Sequence, residues 1–228
     1  MASRGQQDFA RLPAFAARLY RSLTQTGGIL RHQREIAADL ASRIERGKLL
    51  DVGCGPGQLL FEIRQLNPAI ESFGLDISEA MVKLTRQRLC DTSAEIRHGE
   101  IQHSGYPDDF FDLVTCTGSF YLWDHPQECL DEIFRILRPE CVALLFESYR
   151  DCDRSAVREA VKSNLAEEPL MRRLLAPRFF VRQLGMTYST DEFAGIIDQT
   201  RFAQSYSIER IRLAGVPAWL RITLAKRA

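Results

Sequence analysis

The stretch Leu49-Leu50-Asp51-Val52-Gly53-Cys54-Gly55-Pro56-Gly57 runs an apolar strand straight into a glycine-rich turn, and Gln58-Leu59-Leu60 opens a helix directly after it. Gly53, Gly55 and Gly57 let the chain take positive φ or bring its backbone against a ligand, which residues bearing a Cβ resist. The unpaired N–H groups of the following helix face the same spot. This is the pattern of a cradle for a nucleoside cofactor. Glycines between a strand and a helix also serve nicotinamide sites, but that fingerprint, G-x-G-x-x-G, requires a glycine where Gln58 stands. Asp51, at the end of the strand, would repel a pyrophosphate and suits a cationic or amino-acid-bearing ligand.

Working outward, Ile70 to Leu75 reads as a second strand ending at Asp76, about twenty residues past the cradle, where a carboxylate can accept from two vicinal hydroxyls. The competing role for Asp76, capping the next helix, is weakened because Ser78 already suits that cap. Glu79 to Leu89 forms the helix, Glu95 to His98 a short third strand and Phe111 to Thr115 a fourth. Ligands of a doubly wound sheet sit outside the carboxyl ends of its strands, beside the switch point, here flanked by strands one and four. Small residues from Cys116 to Ser119 leave room for a ligand there. Tyr121 and Trp123 offer ring faces that favour a cation, while Phe120, Leu122 and Trp123 compete for places in the core.

Four ordered motifs carry a family resemblance. Leu50-Asp51-Val52-Gly53-Cys54-Gly55-Pro56-Gly57, then Gly74-Leu75-Asp76-Ile77-Ser78, then Phe111-Asp112-Leu113-Val114, then Ile136-Leu137-Arg138-Pro139 resemble those of class I S-adenosylmethionine-dependent methyltransferases. The resemblance runs from about Gly47 to Glu147 and is nearest the small-molecule, ubiquinone- and menaquinone-biosynthesis type (methyltransferase type 11). It implies S-adenosyl-L-methionine as cofactor, with S-adenosyl-L-homocysteine as product. It further implies cofactor contacts from Asp51, Gly53, Cys54, Gly55, Asp76, Ile77, Cys116 and Thr117, from Met81 against the adenine, and from Glu100 and Ile101 at the adenine edge. Tyr20, on an N-terminal helix lying over the site as a lid, would close on the methionine end. The chain departs from the pattern at Glu140-Cys141, which replaces two glycines before the fifth strand.

The resemblance also implies a Rossmann-like, doubly wound seven-stranded α/β sheet ordered 3-2-1-4-5-7-6 with the last strand antiparallel. The organisation expected is one domain over 1–228: a helical lid (1–46), a cofactor-binding half (47–147), a helical cap insertion (148–188), and a C-terminal helix and hairpin (189–228). Apolar residues at helical spacing between Phe9 and Leu23 mark the lid helix, and a second helix follows Gly27-Gly28 with Ile36, Leu40 and Ile44 stacked four apart. Arg31, His32, Gln33 and Arg34, in its first turns, read as a solvated face. Cys141 to Phe146 is apolar throughout, as a strand covered on both faces should be. In the cap, Arg172, Arg173, Arg178 and Arg182 with Phe179 and Phe180 would suit an acceptor carrying a carboxylate or a ring, or equally a solvated helical pair. Ser189-Thr190-Asp191-Glu192 reads as a capping box.

The 228 residues carry 30 Lys+Arg against 30 Asp+Glu, so no global basic field gathers nucleic acid or anionic lipid, and a nucleic-acid substrate is disfavoured. The six cysteines form no CxxC pair and no zinc spacing; they are expected reduced, with no metal bound. With no signal peptide at Met1-Ala2-Ser3-Arg4 and no apolar run long enough to span a bilayer, the expected place is the cytoplasm, as a monomer or homodimer. The expected activity is in-line transfer of the methyl group to a small-molecule acceptor. His125 and Tyr121 are candidate general bases if that acceptor is a hydroxyl or an acidic carbon. A cofactor-binding regulator or scaffold that does not methylate is the alternative.

Overall fold

The computed structural model describes residues 27–170, 173, 177, 180 and 184–227. Its elements in chain order are α1 (Gly27–Ala41), β1 (Gly47–Val52), α2 (Gln58–Leu66), β2 (Ile70–Asp76), α3 (Glu79–Arg88), β3 (Glu95–His98), β4 (Phe111–Thr117), α4 (Pro126–Ile136), β5 (Leu137–Ser148), α5 (Arg154–Asn164), α6 (Thr190–Ile197), β6 (Tyr206–Leu213) and β7 (Val216–Ala225). The seven strands form one sheet ordered β3-β2-β1-β4-β5-β7-β6. β1 pairs in parallel with β2 and β4, whereas β7 runs antiparallel to both β5 and β6. The central strands are apolar because helices cover both faces: Leu49 and Leu50 of β1, Leu113 and Val114 of β4, and Ala143 to Phe146 of β5 are all buried.

Each helix presents one apolar stripe to the sheet. Ile36, Ala37 and Leu40 of α1, Leu59, Leu60 and Ile63 of α2, and Leu130, Ile133 and Ile136 of α4 form those stripes. α1 packs beside α2, and α4 beside α6. Ser189 caps α6 in the expected box, accepting from the Glu192 amide while the Glu192 carboxylate accepts from the Ser189 amide. Since β1 pairs with β2 on one side and β4 on the other, the sheet reverses direction of growth there, and the turn after β1 opens at that switch point.

Several sequence expectations are corrected. β5 begins at Leu137, directly after α4, so Pro139 lies within the strand. Pairing with β4 then skips from Leu137 to Val142, and Glu140 in the intervening bulge adopts φ 63°. The last strand, expected from Trp219 after a link through Gly215 and Pro217, begins at Val216, leaving only Ala214 and Gly215, both with positive φ, as the hairpin turn. His32 is not on a solvated face: it is buried, with its ring 4.2 Å from that of Trp219. Its imidazole is pushed down to about 3 by burial and so is neutral. Of the two places left open for Trp123, ligand wall or core, it takes the core. It is buried against Phe120, which packs in turn on Tyr188 and Phe193. Tyr20, the helix between Phe9 and Leu23, and Arg172, Arg178, Phe179 and Arg182 lie outside the described residues.

Candidate cofactor site

The glycine turn takes left-handed backbone at all three expected positions, with φ of 72° at Gly53, 51° at Gly55 and 73° at Gly57. A Cβ on Gly53 would run into Ser119, and one on Gly57 would stand 2.6 Å from Thr85 Cγ2. A Cβ on Gly55 would meet nothing within 4 Å, so the middle of the turn faces open space while its two ends are packed. The turn is tied to β2 by the Gly53 and Cys54 amides, both of which donate to the Leu75 carbonyl. The Thr85 hydroxyl of α3 donates to the Gly55 carbonyl at 2.5 Å.

Asp76 is the hub of this end of the site. One carboxylate oxygen accepts from the Gly55 amide at 2.7 Å and the other from the Ser78 amide at 2.8 Å. The Ser78 hydroxyl has no partner, so Asp76, not Ser78, organises the entry into α3, contrary to the expected cap. Burial raises the Asp76 pKa, and the two amides and His98 oppose that shift. Asp51 is buried on the neighbouring strand; burial and the Asp76 charge push its pKa well above the usual carboxylate range. Burial, with Asp76 and Asp51 near it, likewise raises the Cys54 thiol, which is therefore protonated and unreactive. This end of the site thus concentrates acidic groups under a backbone cradle, an environment that favours a ligand with hydroxyls and positive charge and disfavours phosphate.

The other residues expected at the site differ in burial. Ile77 is half-buried, and its carbonyl accepts from His98 Nε2 at 2.9 Å. Met81 is fully buried on α3, Glu100 is exposed after β3, and Ile101 beside it is buried and opens a short 3-10 turn. Cys116 is buried and Thr117 half-buried at the end of β4. Tyr121 is half-buried in a second 3-10 turn, and His125 is exposed at the start of α4. Sequence reasoning missed Thr85 and Glu147, and took Ser119 only as one of the small residues after β4. Glu147 is fully buried at the end of β5, and one of its oxygens accepts from the Ser119 and Phe120 amides, each at 3.1 Å. The only sign of it in the sequence was a carboxylate closing the apolar run Cys141 to Phe146.

Residues 50–145, which hold the glycine turn, Asp76, strands two to four and most of strand five, match the family model of the type 11 methyltransferase domain. Over these residues the chain is similar to class I S-adenosylmethionine-dependent methyltransferases. Over 113 residues the chain is 29% identical to an uncharacterized methyltransferase of Bacillus subtilis, covering 49% of this chain and 62% of that protein. Over 122 residues it is 32% identical to the demethylmenaquinone methyltransferase of Deinococcus radiodurans, covering 53% and 51% respectively. The matches thus span about half the length of these relatives. Among solved structures, the plantazolicin methyltransferase BamL, determined with a triazolic desmethylPZN analog and S-adenosylhomocysteine, superposes with a TM-score of 0.73 at 14% identity, covering 98% of this chain and 94% of that one. The chain therefore has the fold expected of it, and among its described residues no helix is long and apolar enough to cross a membrane and no group of His, Cys, Asp and Glu could hold a metal.

Proposed function

We propose that the chain transfers the methyl group of S-adenosylmethionine to a small-molecule acceptor. The observation that carries this reading is the pairing of an open glycine cradle with the buried Asp76 carboxylate, whose oxygens lie within 2.7–2.8 Å of the Gly55 and Ser78 amides. In this reading Asp76 accepts from the ribose hydroxyls, Met81 and Ile101 hold the adenine between apolar surfaces, and Glu100 takes its amino group. Gly53, Cys54, Gly55, Asp51, Cys116 and Thr117 border the methionine end, with Ile77 between the two. The cofactor supplies an already activated sulfonium, so the protein's part is to align the acceptor with the methyl carbon and to exclude water. For a hydroxyl acceptor, Tyr121 or His125 would take the proton. The names of the relatives and the presence of S-adenosylhomocysteine in a protein of the same fold support the reading.

Isothermal titration of S-adenosylmethionine, S-adenosylhomocysteine and NAD into the purified protein tests it, with Asp76→Ala as control. Micromolar affinity for the first two, about −8 kcal/mol, lost in Asp76→Ala and absent for NAD, is the expected result. Absence of binding by demonstrably folded protein would overturn it.

A further inference from the structure

We propose that Glu147 is a positioning residue of the cofactor site, setting from β5 the turn after β4 that closes over Gly53. The inference rests on the cofactor reading above and assigns a residue which that reading does not use.

The turn Gly118-Ser119-Phe120 is held to the end of β5 at two levels. The Gly118 amide donates to the Phe146 carbonyl at 3.0 Å, and one Glu147 oxygen collects the Ser119 and Phe120 amides together with the Cys116 thiol at 3.3 Å. Held in this way, Ser119 directs its hydroxyl to the Val52 carbonyl at 3.2 Å and lies 3.0 Å from Cys116 Sγ. That hydroxyl is the group a Cβ on Gly53 would strike. A chain of direct contacts thus runs from Glu147 through Ser119 to the first glycine of the cradle, and Glu147 sets how closely the β4 turn approaches it.

The burial of a carboxyl at this place marks a functional site. Glu147 is 0% exposed, and its second oxygen is buried without a hydrogen-bond partner. Holding two amides needs only a neutral acceptor, whereas a buried carboxyl with a free oxygen is costly; such groups concentrate at functional sites. Burial also raises its pKa to about 7, against the amide and thiol donors that favour the ionised form.

The test is calorimetric titration of S-adenosylhomocysteine into Glu147→Gln, Glu147→Leu and Ser119→Ala, with melting temperatures measured in parallel and Ser72→Ala as a buried-hydroxyl control on β2. Glu147→Gln keeps an acceptor for the two amides and is expected to bind within about threefold of the parent. Glu147→Leu is expected to weaken binding by about tenfold or more. Ser119→Ala, which leaves Glu147 in place but removes the hydroxyl link to Val52, should lose about threefold or more, and Ser72→Ala nothing. A purely structural role would lower the melting temperature of Glu147→Leu while leaving the affinity of the folded fraction unchanged. Affinity within twofold of the parent in folded Glu147→Leu, or in Ser119→Ala should the leucine variant fail to fold, would overturn the proposal. Failure of the parent itself to bind would instead remove the cofactor reading on which it rests.

Discussion

Ser119 stands where a side chain on Gly53 would have to go: a Cβ built on that glycine lies against the Ser119 hydroxyl and 2.7 Å from its Cβ. Gly53 also sits at φ 72°. Gly53→Ala therefore meets two obstacles, left-handed backbone costing about 1–2 kcal/mol and a collision that ejects the Ser119 hydroxyl from the Val52 carbonyl. We expect a lower melting temperature and a loss of S-adenosylhomocysteine affinity of about tenfold or more. Gly53→Ala combined with Ser119→Ala should recover part of the stability but neither the backbone term nor the crowding against the Cβ that alanine keeps at 119, a difference that thermal melts of the single and double variants resolve.

Both oxygens of Asp76 are already in use, one on each side of the β2 turn, so the residue positions main chain as well as presenting acceptors. Asp76→Asn keeps one acceptor and places an amide donor opposite the Gly55 or Ser78 N–H. The expected outcome is a destabilisation of about 1–3 kcal/mol, the cost of leaving a buried donor unsatisfied, together with weaker cofactor binding. Urea denaturation reads the first and calorimetry the second. Unchanged stability would show that the two amides find other partners.

How much of this was legible in sequence follows from what sets each feature. The central strands and the Gly53-Gly55-Gly57 turn were legible because strands buried on both faces must be apolar and left-handed turns favour glycine, whereas the strand order came only from the family resemblance. Asp76 was legible from its spacing past the cradle. His32 was not: the run Arg31-His32-Gln33-Arg34 is polar whichever way it faces, and the docking of α1 onto Trp219, distant in sequence, buries the imidazole. Nor was the part played by Glu147, since the amides it binds reach it only when β4 and β5 pair. Trp123 stayed open between two places for a related reason. An aromatic after β4 suits either a ligand wall or a core, and Phe120, Tyr188 and Phe193 decide for the core.

The burial of His32 makes stability depend on pH with a definite sign. Its pKa is about 3 in the folded protein against 6.5 for the free side chain, so between those values the unfolded chain binds a proton that the folded chain refuses. The neutral-pH stability is therefore lost as pH falls through that window, by up to about 1.4 kcal/mol per pH unit. Glu147 acts in the opposite sense, its folded pKa raised from 4.5 to about 7, so that its contribution is lost as pH rises across that interval. The difference between the parent and His32→Phe isolates the histidine: the variant should gain relative stability steadily from pH 6.5 downward, as denaturant melts at each pH would record. A difference that does not vary with pH would mean that His32 is protonated in the fold.

Glu140 carries the last prediction. It holds φ 63° in the bulge that opens β5, exposed to solvent, with its amide donating to the Lys226 carbonyl at 2.7 Å. A side chain in that conformation costs about 1–2 kcal/mol relative to glycine, partly offset by the extra freedom glycine gives the unfolded chain, about 0.4–1 kcal/mol. Because the amide is main chain, Glu140→Gly keeps the bond to Lys226, although it gives up whatever the side chain contributes. The variant should gain up to about 1 kcal/mol, a rise of about 2–4 °C in melting temperature for a chain of this size. Cofactor affinity should be unchanged, because the bulge lies at the start of β5, at the opposite end of the sheet from the glycine turn. A lower melting temperature would show that the exposed carboxylate contributes more than the backbone strain it imposes.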